Sequence, residues 1–163
     1  MDYYQGVVTE YLRADRAMFV NPECAIQLEE GPKPAKGRHW YCDVMAVSFR
    51  ESTVYLCEVT YSSTMQSLLK RLQAWEDYWP EICEAIQRDC KVPASWLIRP
   101  WVFIPKKRKD AFNKKFSSVV KANRDANHMP EPKVKDLESV APWNFPFDRK
   151  TSASETDAEP FDR

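Results

Sequence analysis

Apolar residues recur at helical spacing near the start of the chain. Val7, Val8, Tyr11, Leu12, Met18 and Phe19 share one side, and Asn21-Pro22 supplies a stop, so the pattern predicts an amphipathic helix over 2–20. The segment 24–29 has the period of a short strand, and the Gly- and Pro-punctuated stretch 31–37 predicts a loop. Two segments rich in Val, Tyr, Trp and Phe follow at about 39–49 and 53–61. The short link Arg50–Ser52 makes them an antiparallel hairpin. Ser63 and Gln66 are spaced as a capping box that opens a helix with the stripe Leu68, Leu72, Trp75, Trp79, Ile82, Ile86. Pro80 is expected to kink that helix or to restart it as a second one. A further strand is predicted over 96–104, with Pro100 implying an edge or a bulge, and a basic helix over about 107–124. The resulting order, α-β-β-β-α-β-α, predicts an α/β domain over residues 1–126 with a central mixed sheet flanked by helices.

Five of the twelve prolines fall in the last 34 residues, so 127–163 reads as a Pro-rich, partly extended tail. Within it Trp143, Phe145 and Phe147 alternate, which suits contact with the chain's own domain or with a partner.

Composition narrows the function classes. No apolar run is long enough to cross a membrane. The first sixteen residues lack the basic start and apolar run of a secretory signal, and five cysteines without a CxxC pair suggest neither a disulfide framework nor a zinc ribbon, so a reducing cytoplasm is the expected compartment. Three glycines leave no room for a Gly-rich phosphate loop, and there is no nucleophile elbow. The formal net charge is zero, yet residues 106–124 carry eight basic residues against one acid, a local charge of +7 beside flanking regions of −3 and −4. Such a run is either a solvated helix face or a phosphate-binding surface for a polyanion.

Three acids stand out. Glu10 lies at the border of the apolar face of the first helix, while Asp43 and Glu58 each interrupt a strong strand former. A carboxylate in such a strand is costly unless something compensates it, and two on paired strands suggest a shared compensator. A hard divalent ion with oxygen ligands would serve, leaving coordination sites for water and a phosphate oxygen. The alternative is plain ion pairing with Arg38 or Lys70. His39 could approach from the strand start, and Asp15 sits inside the apolar arc of the first helix, where it could cap, pair with Arg38 or add a ligand.

An acid in the first helix, Asp43 on a strand, and Glu58-Val59-Thr60 on the paired strand, followed by a helix, form an order that resembles the PD-(D/E)xK nuclease superfamily over about residues 1–125. The segment Gly6–Glu10 is similar to the GxxxE pattern of its exonuclease branch. The resemblance implies a restriction-endonuclease-like fold and a metal site (Mg, or Mn) held by Asp43, Glu58 and the Val59 carbonyl, with Glu10 positioning the ion or its waters. Thr60 stands where the family's lysine belongs, and a hydroxyl brings no positive charge to the reacting phosphate. Lys70 or Arg71 on the following helix are the candidates for a migrated cation, with Lys36 a weaker one. Gln73 lies near the QxxxY position of the exonuclease branch.

The implied activity is Mg-dependent hydrolysis of phosphodiester bonds in DNA, RNA being chemically compatible. Lys106, Lys107, Arg108, Lys109, Lys114 and Lys115 are the expected phosphate contacts, and a homodimer is compatible with the pattern. The alternative, in the absence of the lysine, is a catalytically inactive module on the same fold that binds nucleic acid or a protein partner.

Overall fold

The computed structural model describes residues 2–30, 37–119 and 127–141. Its elements run α1 (Tyr3–Arg13), β1 (Met18–Gln27), β2 (His39–Ser48), β3 (Thr53–Val59), α2 (Gln66–Asp77), α3 (Trp79–Cys90), β4 (Leu97–Ile104), α4 (Lys109–Val119) and β5 (Lys133–Asp136). One 3₁₀ turn precedes α4 and another follows β5. The five strands form one mixed sheet in the order β1-β2-β3-β4-β5. The first three run antiparallel, whereas β3–β4 and β4–β5 are parallel.

Two apolar clusters sandwich the sheet. Ile26, Leu56, Val54, Val102 and Ile104 meet Leu72, Trp75, Ile82, Ile86, Phe112 and Phe116 from α2, α3 and α4 on one face. On the other, Val44, Ala46, Tyr55, Cys57 and Phe103 meet Val8 and Leu12 of α1 and Leu137 and Val140 of the last 3₁₀ turn. The chain is therefore α/β, a five-stranded mixed sheet with helices on both faces.

Several boundaries differ from those the pattern predicts. The first helix stops at Arg13, and Met18, Phe19, Asn21 and Pro22 belong to β1. Pro22 is tolerated there because β1 is an edge strand, where a missing amide donor costs no ladder bond on the open side. No capping box opens α2: its N-cap is Met65, left-handed at φ 54°, with no side-chain cap. Met65 is instead fully buried, so the helix start is fixed by insertion of an apolar side chain into the core. Pro80 does restart a helix, lying in the first turn of α3. Pro100 sits in an internal strand, but β5 begins pairing only at Trp101↔Lys133, so no β5 partner misses its amide.

The basic segment divides into the 3₁₀ turn Lys106–Arg108 and α4, which is described to Val119; Lys121 and Arg124 lie outside the described residues. Part of the expected tail belongs to the domain, since Lys133–Asp136 supply the fifth strand and Leu137 and Val140 enter the α1-side cluster. Buried Glu76 on α2 ties this return in place, accepting the Met129 amide at 2.9 Å and pairing with His128 Nδ1 at 3.0 Å. Trp143, Phe145, Phe147 and Lys36 lie outside the described residues. Among the described residues no helix is long and apolar enough to cross a membrane.

Candidate functional site

The β2–β3 register pairs Val44 with Cys57 as its last rung, which sets Asp43 and Glu58 level with each other immediately beyond the ladder. The β1–β2 ladder also skips this level. Glu23, opposite Asp43, has φ 53°, and the pairing resumes at Cys24↔Cys42. Cys42 joins the cluster under α2 and α3, donating its thiol hydrogen to the Val44 and Cys57 carbonyls, while Val44 joins the α1-side cluster. Strict side alternation thus breaks at Asp43. Its carboxylate is free to reach sideways to both α1 and β3.

Both oxygens of Asp43 are held. Gln5 Nε2 donates to Oδ1 at 2.6 Å, and the Val59 amide donates to Oδ2 at 2.8 Å. Gln5 is itself locked in a capping box: its Oε1 accepts the Asp2 amide, and its own amide donates to the Asp2 side chain. The cap that starts α1 therefore also aims the amide that grips Asp43.

Glu58, only 4% exposed, points to the α2 side. Arg71 Nη1 lies 3.0 Å from each of its oxygens and donates as well to the Tyr41 carbonyl. One guanidinium thus faces two carboxylates, leaving an excess negative charge. Burial and the neighbouring charge of Asp43 push Glu58 up to about 8, against the opposing pull of Arg71. Burial also raises Asp43, with the Val59 amide, Arg71 and Gln5 working in the other direction. A buried carboxylate pair short of positive charge is electrostatically unsatisfied, and either a proton or a further cation relieves it.

The remaining predicted positions are placed as follows. Glu10 is exposed and pairs with Arg13 at 3.0 Å. Five residues separate it from Gln5, an offset of about 140° around a helix, so when Gln5 faces Asp43 Glu10 turns aside. The Thr60 hydroxyl accepts the Ser62 amide and shapes the turn after β3. Lys70 is exposed and lines a groove of about 580 Å³ between α2 and α4, together with Thr64, Gln66, Leu69, Gln73, Lys115 and Val119. Gln73 donates to Asp77. Arg71, not Lys70, is the helix cation that touches Glu58.

Of the basic run, Lys106, Lys107, Lys114 and Lys115 are exposed, whereas Lys109 pairs with Asp136 at 2.8 Å and Arg108 is half-buried. Asp15 pairs with Arg50, Arg38 with Glu29, and His39 meets the Gly37 carbonyl, so none of these three joins the carboxylate pair through those contacts.

Sequence reasoning missed Gln5. The signal was present, since Asp2 and Gln5 are spaced as a capping box. A search for acids passes over an amide.

Among the described residues no cluster of three or more His, Cys, Asp and Glu side chains is poised to hold a metal. The donor set nevertheless suits a hard dication in kind: two carboxylates carrying uncompensated charge, with the backbone of Val59 beside them. The sequence matches no protein-family model, and no curated protein is detectably similar to it.

Proposed function

We propose that the chain is a divalent-metal-dependent nuclease of restriction-endonuclease-like fold that hydrolyses phosphodiester bonds in DNA. The observation that carries this reading is the meeting of Asp43 and Glu58 at the open end of the β2–β3 hairpin with Arg71 on Glu58, where burial and the charge of Asp43 push Glu58 up to about 8. The order of α1, the β1–β3 meander, the helical crossover and the parallel β4 is consistent with the fold that the resemblance implies.

In this reading Asp43, Glu58 and the Val59 carbonyl would hold Mg or Mn, which when bound polarises the scissile phosphate and acidifies the attacking water. The chain's own residues supply the rest. Gln5 and the Val59 amide fix the orientation of Asp43. Arg71 takes the place of the missing lysine: released from one Glu58 oxygen, its guanidinium brings positive charge to a phosphate oxygen, which the Thr60 hydroxyl cannot do. Glu10, paired with Arg13, and Lys70, which lines the α2–α4 groove, carry no catalytic role in this version. Lys106, Lys107, Lys114 and Lys115 would contact the DNA backbone.

One observation favours a second reading. Arg71 already engages both Glu58 oxygens, as it would in a module that has lost catalysis and keeps the acid pair only as structure. Plasmid nicking in Mg²⁺ or Mn²⁺ separates the two. Metal-dependent nicking by the wild-type chain that disappears in Asp43→Asn and Glu58→Gln supports hydrolysis. A wild-type chain that binds DNA, never nicks it and takes up no divalent ion supports the inactive module.

A further inference from the structure

Exposed tyrosines flank the carboxylate pair along the chain. Tyr41 lies two residues before Asp43 and Tyr61 three after Glu58. Because β2 and β3 are antiparallel, both steps lead off the same end of the hairpin, and the register carried forward sets Tyr41 level with Thr60. Both rings are 54% exposed. Tyr3, at the start of α1, is 75% exposed and packs edge-on against Tyr4 with centroids 5.3 Å apart. Tyr4 lies flat against Tyr61, 4.7 Å away with ring planes 4° apart, and precedes Gln5, the residue that grips Asp43. Three tyrosines so exposed share one end of the sheet with the candidate site, and it is this clustering that points to a use for their faces.

The surroundings say which part of a nucleic acid those faces suit. The carboxylates of Asp2 and Asp43 stand beside the rings, where they disfavour a bare phosphate. Positive charge begins farther along the same loop. Thr64, three residues beyond Tyr61, accepts a hydrogen bond from Lys115 Nζ at 3.1 Å and opens the groove lined by Lys70 and Lys115. Base-sized rings and backbone-sized charges thus follow one another along the 61–64 loop. Paired bases in a duplex stack on each other and offer no free face, whereas unpaired bases stack readily on aromatic side chains.

We infer that Tyr61, Tyr3 and Tyr41 form a stacking platform for unpaired bases, and that the substrate is DNA with a single-stranded segment whose backbone leaves along the Lys70–Lys115 groove. This rests on the reading of Asp43 and Glu58 as a phosphodiester site, and it adds the strandedness that the site alone leaves open.

The test is fluorescence anisotropy in EDTA, so that binding is read without cleavage, using labelled oligothymidine and a blunt-ended duplex of two complementary strands as probes. The wild-type chain is expected to prefer oligothymidine. Tyr61→Ala and Tyr3→Ala should each weaken that binding by roughly 5- to 150-fold, the loss of about 1–3 kcal/mol of stacking per base, and leave duplex binding little changed. Tyr61→Phe, which keeps the ring, should bind like wild type. Equal affinity for both probes, or alanine variants that bind oligothymidine normally, overturns the platform. Nicking assays run in parallel keep the two failures apart. Metal-dependent cleavage that ignores the tyrosines sinks the platform and spares the nuclease, while tyrosine-dependent binding by a chain that never cuts sinks the nuclease and spares the platform.

Discussion

Replacing Glu58 by Gln tests the electrostatics on which the site depends. In the folded chain burial and Asp43 push this carboxyl from its ordinary 4.5 up to about 8. The folded state therefore holds a proton that the unfolded chain has released over most of that interval. Stability from this group is fully present below about pH 4.5 and is lost as pH rises, levelling off above about 8. At about 1.36 kcal/mol per pH unit, a shift of this size corresponds to a fall on the order of 5 kcal/mol, a large share of the roughly 5–15 kcal/mol that stabilises a typical domain. Glutamine keeps the shape and removes the proton.

Urea unfolding followed by circular dichroism, in EDTA and at constant salt, would be measured at intervals between about pH 5 and 9. The difference in stability between wild type and Glu58→Gln should grow by several kcal/mol across that window, the wild type losing ground at alkaline pH. Added Mg²⁺ should flatten the wild-type curve if the pair takes up the ion, since a bound cation opposes protonation. Parallel stability curves for the two proteins would mean that Glu58 titrates as an ordinary surface acid, and the charge argument for the site would fall with them.

Other consequences can be checked with similar means. Arg71→Met removes the main group that pulls Glu58 down, so it should cost little near pH 6 but on the order of 2–3 kcal/mol near pH 9 in urea midpoints; the loss stays below that of a fully buried pair because Arg71 remains about a third exposed. Charge reversal at the exposed Lys107 and Lys114 should reduce the slope of log affinity against log salt for duplex DNA by about 2, and an unchanged slope would make the basic run a solvated face. Glu76→Ala leaves the Met129 amide buried without its acceptor. It should lower stability by about 1–3 kcal/mol and speed hydrogen exchange at that amide, with native-like exchange ruling out the tether.

The parts of this fold legible in the sequence are those whose pattern is local. The hairpin of β2 and β3 follows from two aromatic, β-branched runs with a short link, whereas the register of Asp43 against Glu58 depends on a four-residue link, Phe49–Ser52, one residue longer than the pattern suggests. The stripe from Leu68 to Ile86 marks two helices, and Pro80 marks their junction. What escaped is set by tertiary context. Pro22 looks like a stop until β1 is known to be an edge, and Lys133–Asp136 is a four-residue, half-buried edge strand too short to show a period and defined by its pairing with β4. The opening of α2 shows the same conflict, a good capping signal at Ser63 losing to the burial of Met65. At the site, the two strand acids were visible as charges inside apolar runs. The choice of Arg71 over Lys70, one residue apart on an exposed helix turn, depends on which face of α2 packs on the sheet, and the periodicity resolves that only coarsely.

The late arrival of β5 also governs how the molecule keeps to itself. Val102, Phe103 and Ile104 lie on β4 and are completely buried, and their outer backbone groups find partners only in a strand made some thirty residues later. Until that segment docks, or in any chain shortened before it, β4 is an open, greasy, parallel edge of the kind that recruits strands from other molecules. Trimming the chain ahead of Lys133 to obtain a tidier protein should therefore yield aggregates rather than a smaller soluble domain, and the lysines that punctuate β5, Lys133 and Lys135, give the finished sheet a charged border that discourages further growth.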